Sequence, residues 1–161
     1  MDRLWTPWRY KYISKARETE GCIFCVKPAA GADAEQWIVF RGEHNFVILN
    51  AFPYTSGHVM VAPYEHVATP EDARDETLLE MMLLVRRCVS ALRTAYRPDG
   101  VNLGMNIGEA AGAGVAGHIH MHVLPRWIGD ANFMTSVGET RVIPEDLNET
   151  YAKLKAAFEG Q

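Results

Sequence analysis

The sequence predicts an α+β fold: a mainly antiparallel sheet of five strands covered by one long central helix, with a second helix at the C-terminus. Five short apolar runs are separated by turn residues, one segment carries a sustained three-to-four apolar period, and no strand–helix–strand alternation calls for a parallel sheet.

Trp37-Ile38-Val39-Phe40 and Phe46-Val47-Ile48-Leu49 read as a hairpin around a polar turn at Arg41 to Asn45. The turn-rich stretch Ala51 to Gly57 leads into a third strand, His58 to Ala62, ended by Pro63. Thr69-Pro70-Glu71-Asp72 combines a capping residue, a first-turn proline and early acids, a helix-start signature. From Glu71 to Tyr96, Leu78, Met82, Val85, Val89, Leu92 and Tyr96 recur at helical spacing and predict an amphipathic helix whose apolar face covers the sheet. Pro98-Asp99-Gly100 turns into a fourth strand, Val101 to Asn106, and His118 to His122 form a fifth, stopped by Pro125. Pro144 opens a last helix through Leu147, Tyr151, Leu154 and Phe158. Lys27 to Glu35, rich in Ala, Gly and Pro, reads as the one soft segment.

The 161 residues, 48% hydrophobic and 22% charged, suit a single domain over 1–161, with 1–35 an N-terminal arm and 36–161 the core. A net charge of −4 with scattered basic residues gives no footing for a nucleic-acid or membrane partner. No apolar run approaches a membrane span, the N-terminus lacks the apolar core of a signal peptide, and a reducing cytoplasm is the expected compartment. Of three cysteines, Cys88 falls in the helical pattern and reads as core; Cys22 and Cys25 form a Cys-x-x-Cys that suits metal binding or redox chemistry.

Function concentrates in His118-Ile119-His120-Met121-His122. A two-residue period places three imidazoles on one face and Ile119, Met121 and Val123 on the other. Imidazole alone titrates near neutrality, so the three can divide nucleophile, donor and metal-ligand roles. Which one attacks does not follow from the spacing. Upstream, Gly108-Glu109-Ala110-Ala111-Gly112-Ala113-Gly114 has no bulky side chain, so its backbone N–H groups can approach an anion such as phosphate.

His118 to Leu124 resembles the histidine triad (HIT) signature, in which three histidines alternate with hydrophobic residues. The resemblance runs from about Leu4 to Phe158. Leu4-Trp5-Thr6-Pro7-Trp8-Arg9, Cys22-Ile23-Phe24-Cys25, Gly112-Ala113-Gly114-Val115 and Pro125-Arg126-Trp127 look like the bacterial branch related to diadenosine polyphosphate hydrolases and phosphorylases. It implies the HIT-like fold and cleavage at the α-phosphate of a dinucleoside polyphosphate or nucleoside phosphoramidate. By that similarity His120 is the nucleophile, His122 donates to the phosphate and assists the leaving group, and His118 and His58 support them. Asn50 and Asn106 match residues that hold nucleotide or brace the triad, and backbone N–H groups of Gly112, Ala113, Gly114 and Val115 are candidates for phosphate contact.

The resemblance further implies a structural zinc on Cys22, Cys25, His66 and His118, no organic cofactor, and a homodimer with one continuous ten-stranded sheet, joined at an exposed fifth-strand edge. His44 is left without a role and is expected in the exposed hairpin turn. Val115 stands where many triad hydrolases carry Ser or Thr, and the Asn106–His118 spacing is one residue longer than in several members; both bear on substrate preference. A diadenosine tetraphosphate phosphorylase is the nearest alternative activity, and a nucleotide-binding module without turnover is the alternative of another class. The aromatic residues Trp5, Trp8, Tyr10, Tyr12, Trp127 and Phe133 read as packing rather than base contacts.

Overall fold

The computed structural model describes residues 21–131 and 145–161. The chain runs α1 (Ile23–Ala29), α2 (Asp33–Gln36), β1 (Ile38–Arg41), β2 (Asn45–Leu49), β3 (Val59–Pro63), α3 (Asp75–Tyr96), β4 (Gly100–Met105), β5 (Met121–Arg126) and α4 (Leu147–Glu159), with single 3-10 turns at Pro70–Asp72 and Glu109–Ala111. The five strands form one antiparallel sheet in the order β1-β2-β3-β5-β4.

Both faces of the sheet are covered. On one, Val39, Val47, Val59, Val61, Ile119 and Val123 meet Met81, Leu84, Cys88 and Leu92 of α3 and Leu154 and Phe158 of α4. On the other, Phe24 of α1 closes over Ile38, Phe46, Ile48, Met60 and Ala62. Covering on both faces makes β2 and β3 buried at every position instead of alternating. No described helix is long and apolar enough to cross a membrane.

Several sequence expectations shift. The predicted helix from Glu71 is broken: Ala73 and Arg74 are extended, and α3 begins at Asp75, its start tied down by the Arg74 N–H and guanidinium to Glu65. Its core stripe is as expected at Leu78, Val85, Val89, Leu92 and Tyr96 but broader, and it excludes Met82. Met81, Leu84, Cys88 and Ala91 join Val85 and Leu92 inside, whereas Met82 lies exposed with Leu79 and Leu83, because α3 carries a second apolar stripe that the same periodicity admits. Cys88 is core, as expected.

Lys27 to Glu35 is not a plain loop. It holds the end of α1 and most of α2, and Arg41 fastens it by donating to the Pro28 carbonyl at 2.9 Å and the Asp33 carboxylate at 2.7 Å. Trp37 is not in β1; it caps α2 in a left-handed conformation (φ 56°). Pro125 does not stop β5 but pairs with Val101 inside it. β3 pairs with β5 only as far as Val123, so at Pro125 a missing N–H has one neighbouring strand to satisfy rather than two. The sheet edges lie at β1 and β4, not at the fifth strand, because β5 inserts between β3 and β4. The last helix is capped by Asp146, whose carboxylate accepts from the Asn148 and Glu149 N–H groups; Pro144 lies outside the described residues.

The β1–β2 turn is held by a carboxylate from α3. Glu80 accepts from the backbone N–H groups of Glu43, His44 and Asn45, each at 2.7 Å, and from the Asn45 amide at 2.9 Å. Gly42 makes room, since a Cβ there would sit 2.7 Å from Glu80 Oε1. His44 is therefore partly covered and anchored through its main chain rather than simply exposed. These hydrogen bonds outweigh partial burial and hold the Glu80 carboxyl below its ordinary pKa. A lowered folded-state pKa contributes stability above the unfolded value and loses it as pH falls through the folded value. Glu80→Gln is expected to cost about 2 kcal/mol at pH 7, with a gap to wild type that closes as pH drops below about 4, read by urea denaturation across pH. An unchanged gap at acid pH would contradict this role for the charge.

Candidate functional site

The triad segment joins the sheet later than expected. Ladder pairing starts at Met121, so His118 and His120 precede the strand; the Pro63 carbonyl, which could have extended the β3 ladder, instead accepts from His118 Nε2 at 2.9 Å. The segment is still fixed, by Ile119 N–H donating to Val67 O at 2.8 Å. The predicted alternation survives. Ile119 and Val123 are buried, with Met121 partly so, under α3, and the imidazoles of His118, His120 and His122 lie on the opposite side, all buried.

His58, His118 and His120 each have one nitrogen committed to a main-chain group whose chemistry is unambiguous, and this assigns their tautomers and, through His58, that of His122. His118 must carry its proton on Nε2 to donate to Pro63 O, leaving Nδ1 with a lone pair. His120 must carry it on Nδ1, donating to the His118 carbonyl at 2.9 Å, which leaves the Nε2 lone pair available. His58 Nδ1 accepts from the Tyr54 main-chain N–H at 3.1 Å, so its proton is on Nε2, 2.9 Å from His122 Nδ1. His122 Nδ1 is thereby an acceptor, and its proton sits on Nε2. Burial lowers the pKa of His120 below that of a free imidazole, opposed by the hydrogen bond to the His118 carbonyl; burial does the same to His118. The His120 and His122 rings stand 4.9 Å apart between centroids at 75°.

Two aromatic side chains that sequence reasoning did not assign wall this row. Phe24 packs 4.7 Å from His120 and 5.3 Å from His118 between ring centroids, and Tyr54 packs 4.8 Å from His58 and 6.0 Å from His122. The available signal was position: Phe24 sits between two cysteines, and Tyr54 within the loop that leads to His58. Asn50, buried at the end of β2, accepts from the Phe52 N–H through Oδ1 and presents its amide to His58 Nδ1 at 3.4 Å. Asn106 braces the glycine-rich loop, donating to Gly112 O at 3.4 Å. In that loop Gly112 (φ 87°) and Ala113 donate their N–H groups to Glu109 and Gly108 carbonyls, so they close the loop on itself. Among the described residues no backbone acceptor takes the N–H of Gly114 or Val115.

At the other end of the row, Cys22, Cys25, His66 and His118 bring their ligand atoms within 4.8 Å of one another, and this group could hold a metal ion. The Cys22 and Cys25 sulfurs lie 3.4 and 3.7 Å from His118 Nδ1, Cys25 is 3.4 Å from His66 Nδ1, and the two Nδ1 atoms are 3.2 Å apart. Burial and the neighbouring Cys22 raise the Cys25 thiol pKa. All three cysteines are unpaired by disulfides. Trp127 packs edge-on against Tyr96, as a structural aromatic; Trp5, Trp8, Tyr10, Tyr12 and Phe133 lie outside the described residues.

Sheet, histidine row and thiol–imidazole cluster define an α+β protein whose buried imidazoles are sorted by hydrogen bonding into separate tasks. The HIT domain model matches residues 32–127, and the chain belongs to the HIT domain family. An AP-4-A phosphorylase of Mycobacterium tuberculosis (strain CDC 1551 / Oshkosh) is 38% identical over 157 residues, spanning 93% of this chain and 80% of that protein. Protein hit of Bacillus subtilis (strain 168) is 35% identical over 131 residues, 80% of this chain and 88% of that one. Among solved structures, a Zn-bound histidine triad family protein from Mycobacterium smegmatis superposes with a TM-score of 0.69 at 32% identity, covering 87% of this chain and 94% of that chain.

Phe24 is 1% exposed and packs against both His118 and His120. Phe24→Ala is expected to lower unfolding stability by about 3 kcal/mol through the cavity it leaves. Urea denaturation checks it, and a loss under about 1 kcal/mol would mean the ring is not part of the packed interior.

Proposed function

We propose that this chain is a nucleotide hydrolase or transferase that cleaves at the α-phosphate of a dinucleoside polyphosphate or nucleoside phosphoramidate through a nucleotidyl-His120 intermediate. The supporting observation is the tautomer of His120: buried, with Nδ1–H on the His118 carbonyl, it keeps its lone pair on Nε2. In the first step Nε2 attacks the α-phosphorus, a P–N bond forms, and the bond to the leaving group breaks with its electron pair on the departing atom. His122 Nε2–H donates a hydrogen bond to the phosphate or leaving oxygen, a role in which one preorganised donor is worth about 3 kcal/mol. The N–H groups of Gly114 and Val115 support the same oxygens, Gly112, Ala113 and Asn106 shape the loop that presents them, and Asn50 holds His58 at the nucleotide end. In the second step an oxygen nucleophile displaces His120, its proton passing to solvent, and the lone pair is restored.

Water as second nucleophile gives a hydrolase and inorganic phosphate gives a phosphorylase. The 38% identity to an AP-4-A phosphorylase favours carrying the phosphorylase as second reading. Intact-protein mass after brief mixing with diadenosine tetraphosphate tests both. Wild type is expected to gain one AMP mass and His120→Ala none, and products formed with and without phosphate separate the two activities; turnover by His120→Ala at the wild-type rate would remove the intermediate from the account.

The thiol–imidazole group fits zinc. A tetrahedral zinc at ~2.3 Å from sulfur and ~2.0 Å from nitrogen spaces its ligand atoms ~3.3–3.8 Å apart; four of the six distances here span 3.2 to 3.7 Å, and all lie within 4.8 Å. His118 offers a lone pair on Nδ1 because Pro63 O holds its other nitrogen, the outer-shell arrangement of a metal-bound imidazole. Zinc there would pin the segment that carries His120. Elemental analysis is expected to find one zinc per chain, lost in Cys22→Ser/Cys25→Ser; retention of zinc in that variant would place it elsewhere. Unpaired thiols beside such a site suit the cytoplasm.

A second copy is assigned to the β4 edge, with the whole chain forming one domain of a homodimer. β4 is exposed at Gly100 and from Asn102 to Gly104, and Leu103 there shares a groove of about 390 Å³ with Met82, Val85 and Val89 of α3. An unpaired strand edge beside an exposed apolar stripe (Leu79, Met82, Leu83) is what a self-complementary partner would cover. Sedimentation is expected to give twice the chain mass and to fall toward one chain in Met82→Glu; a monomer in wild type would remove the dimer.

A further inference from the structure

The Cys-x-x-Cys leaves metal and redox chemistry both open by sequence, and its place in the fold lets one group do both. Cys22 precedes α1 in an extended conformation, and its carbonyl accepts from the N–H groups of Cys25 and Val26, each at 3.0 Å. Cys22 and Cys25 therefore stand one helical turn apart on the same side of the chain, a step that puts Cα atoms roughly 5 Å from each other. A disulfide bridges Cα atoms about 4.4–6.8 Å apart. The two sulfurs already lie within 4.8 Å and have only to close to the ~2.05 Å of an S–S bond. Both cysteines are partly exposed and His66 beside Cys25 is exposed, whereas Cys88 is buried in the core.

What the pair touches gives its oxidation a consequence. Both sulfurs face His118 Nδ1, at 3.4 and 3.7 Å, and with His66 they make up the group that fits zinc. Phe24 lies between them in the chain, and its buried ring packs on His118 and His120. Thiolates on one tetrahedral zinc stand about 3.8 Å apart, far beyond a bond between them, so metal and disulfide exclude each other. Loss of the metal removes the hold on His118 Nδ1 and leaves the one on Nε2, from the Pro63 carbonyl. His118 also supplies the carbonyl that takes the His120 Nδ1–H, so slack in this residue reaches His120.

We propose that Cys22 and Cys25 are a redox-modification site: a small-molecule disulfide converts them to an internal disulfide, expels the metal and loosens the segment that carries His120. One cysteine thiolate attacks a sulfur of the small disulfide, forming a mixed disulfide and releasing one small thiolate. The other cysteine thiolate attacks the protein sulfur of that bond and releases the second. The two electrons lost by the protein sulfurs leave on the two small thiolates, and the cysteines, no longer charged, release the metal as Zn²⁺. The inference rests on the zinc reading and, for its effect on turnover, on His120 as nucleophile.

The test exposes the zinc-containing chain to glutathione disulfide. Released zinc is followed with a chromogenic chelator, the cysteines by denatured mass and peptide mapping, and the site by AMP-adduct formation on His120 from diadenosine tetraphosphate. Expected are one zinc released per chain, a mass two hydrogens lighter, and a Cys22–Cys25 link with Cys88 left free. Adduct formation should slow about tenfold or more and recover with dithiothreitol and added zinc. Zinc retained in excess disulfide, or released with only glutathione adducts on the cysteines, would overturn the proposal and leave the zinc reading standing. Zinc release and an internal bond with the adduct rate unchanged would overturn the coupling to His120. A reduced chain isolated without zinc would bring down the metal reading and this proposal with it. A reduced, zinc-containing chain that forms no His120 adduct would instead bring down the nucleophile assignment, and zinc release with peptide mapping would then decide the modification site.

Discussion

A buried neutral imidazole has one N–H and one lone pair, and whatever takes the N–H decides where the lone pair points. In this chain the His118 carbonyl takes the Nδ1–H of His120, and Pro63 takes the Nε2–H of His118. From these two hydrogen bonds the rest of the site follows. His118 is left with its Nδ1 facing two thiols and a second imidazole, and His120 is left with its lone pair on Nε2, so the two rings two residues apart do not commit the same nitrogen. Both acceptors are main-chain oxygens, so they carry no charge of their own. Burial can then depress the imidazole pKa values and keep the lone pairs unprotonated near neutral pH.

The sheet exists, for this purpose, to present those oxygens. β2 and β3 are buried on both faces, α3 and α4 press on one side and Phe24 of α1 on the other, and β5 is clamped between β3 and β4. Phe24 is where packing and chemistry meet, since one ring closes the second core and touches both His118 and His120. At the far end His58 joins β3 to His122 and is itself held by the loop after β2. Catalysis of this type depends on fixed geometry more than on added groups, which is why so many contacts converge on four rings.

Much of this was legible in the sequence because it is local. The two-residue period of the histidines survives even though His118 and His120 precede the ladder, since alternation is a property of the extended chain and not of its pairing. The five strands, the long helix and the Cys-x-x-Cys with His66 and His118 were readable in the same way, the last through resemblance. Contacts made at a distance were not. Within the core stripe of α3 only Met82 was misplaced, because Leu79, Met82 and Leu83 supply a second apolar face with the same period. Nothing near Pro125 in sequence tells that β3 stops short of it, and nothing near Lys27 to Glu35 tells that Arg41 will fasten that segment. The Glu80 anchor, the Phe24 and Tyr54 walls and the tautomers all depend on partners brought together by folding, so no periodicity announces them.

The central claim is that hydrogen bonds sort the histidines into fixed tautomers. Long-range ¹H–¹⁵N correlation spectra of the imidazoles at pH 7 test it directly, since protonated and bare ring nitrogens resonate far apart. The account predicts His120 with its proton on Nδ1, and His58, His118 and His122 with theirs on Nε2. A His120 protonated on Nε2, or exchanging between the two forms, would leave no fixed lone pair for attack and would contradict it.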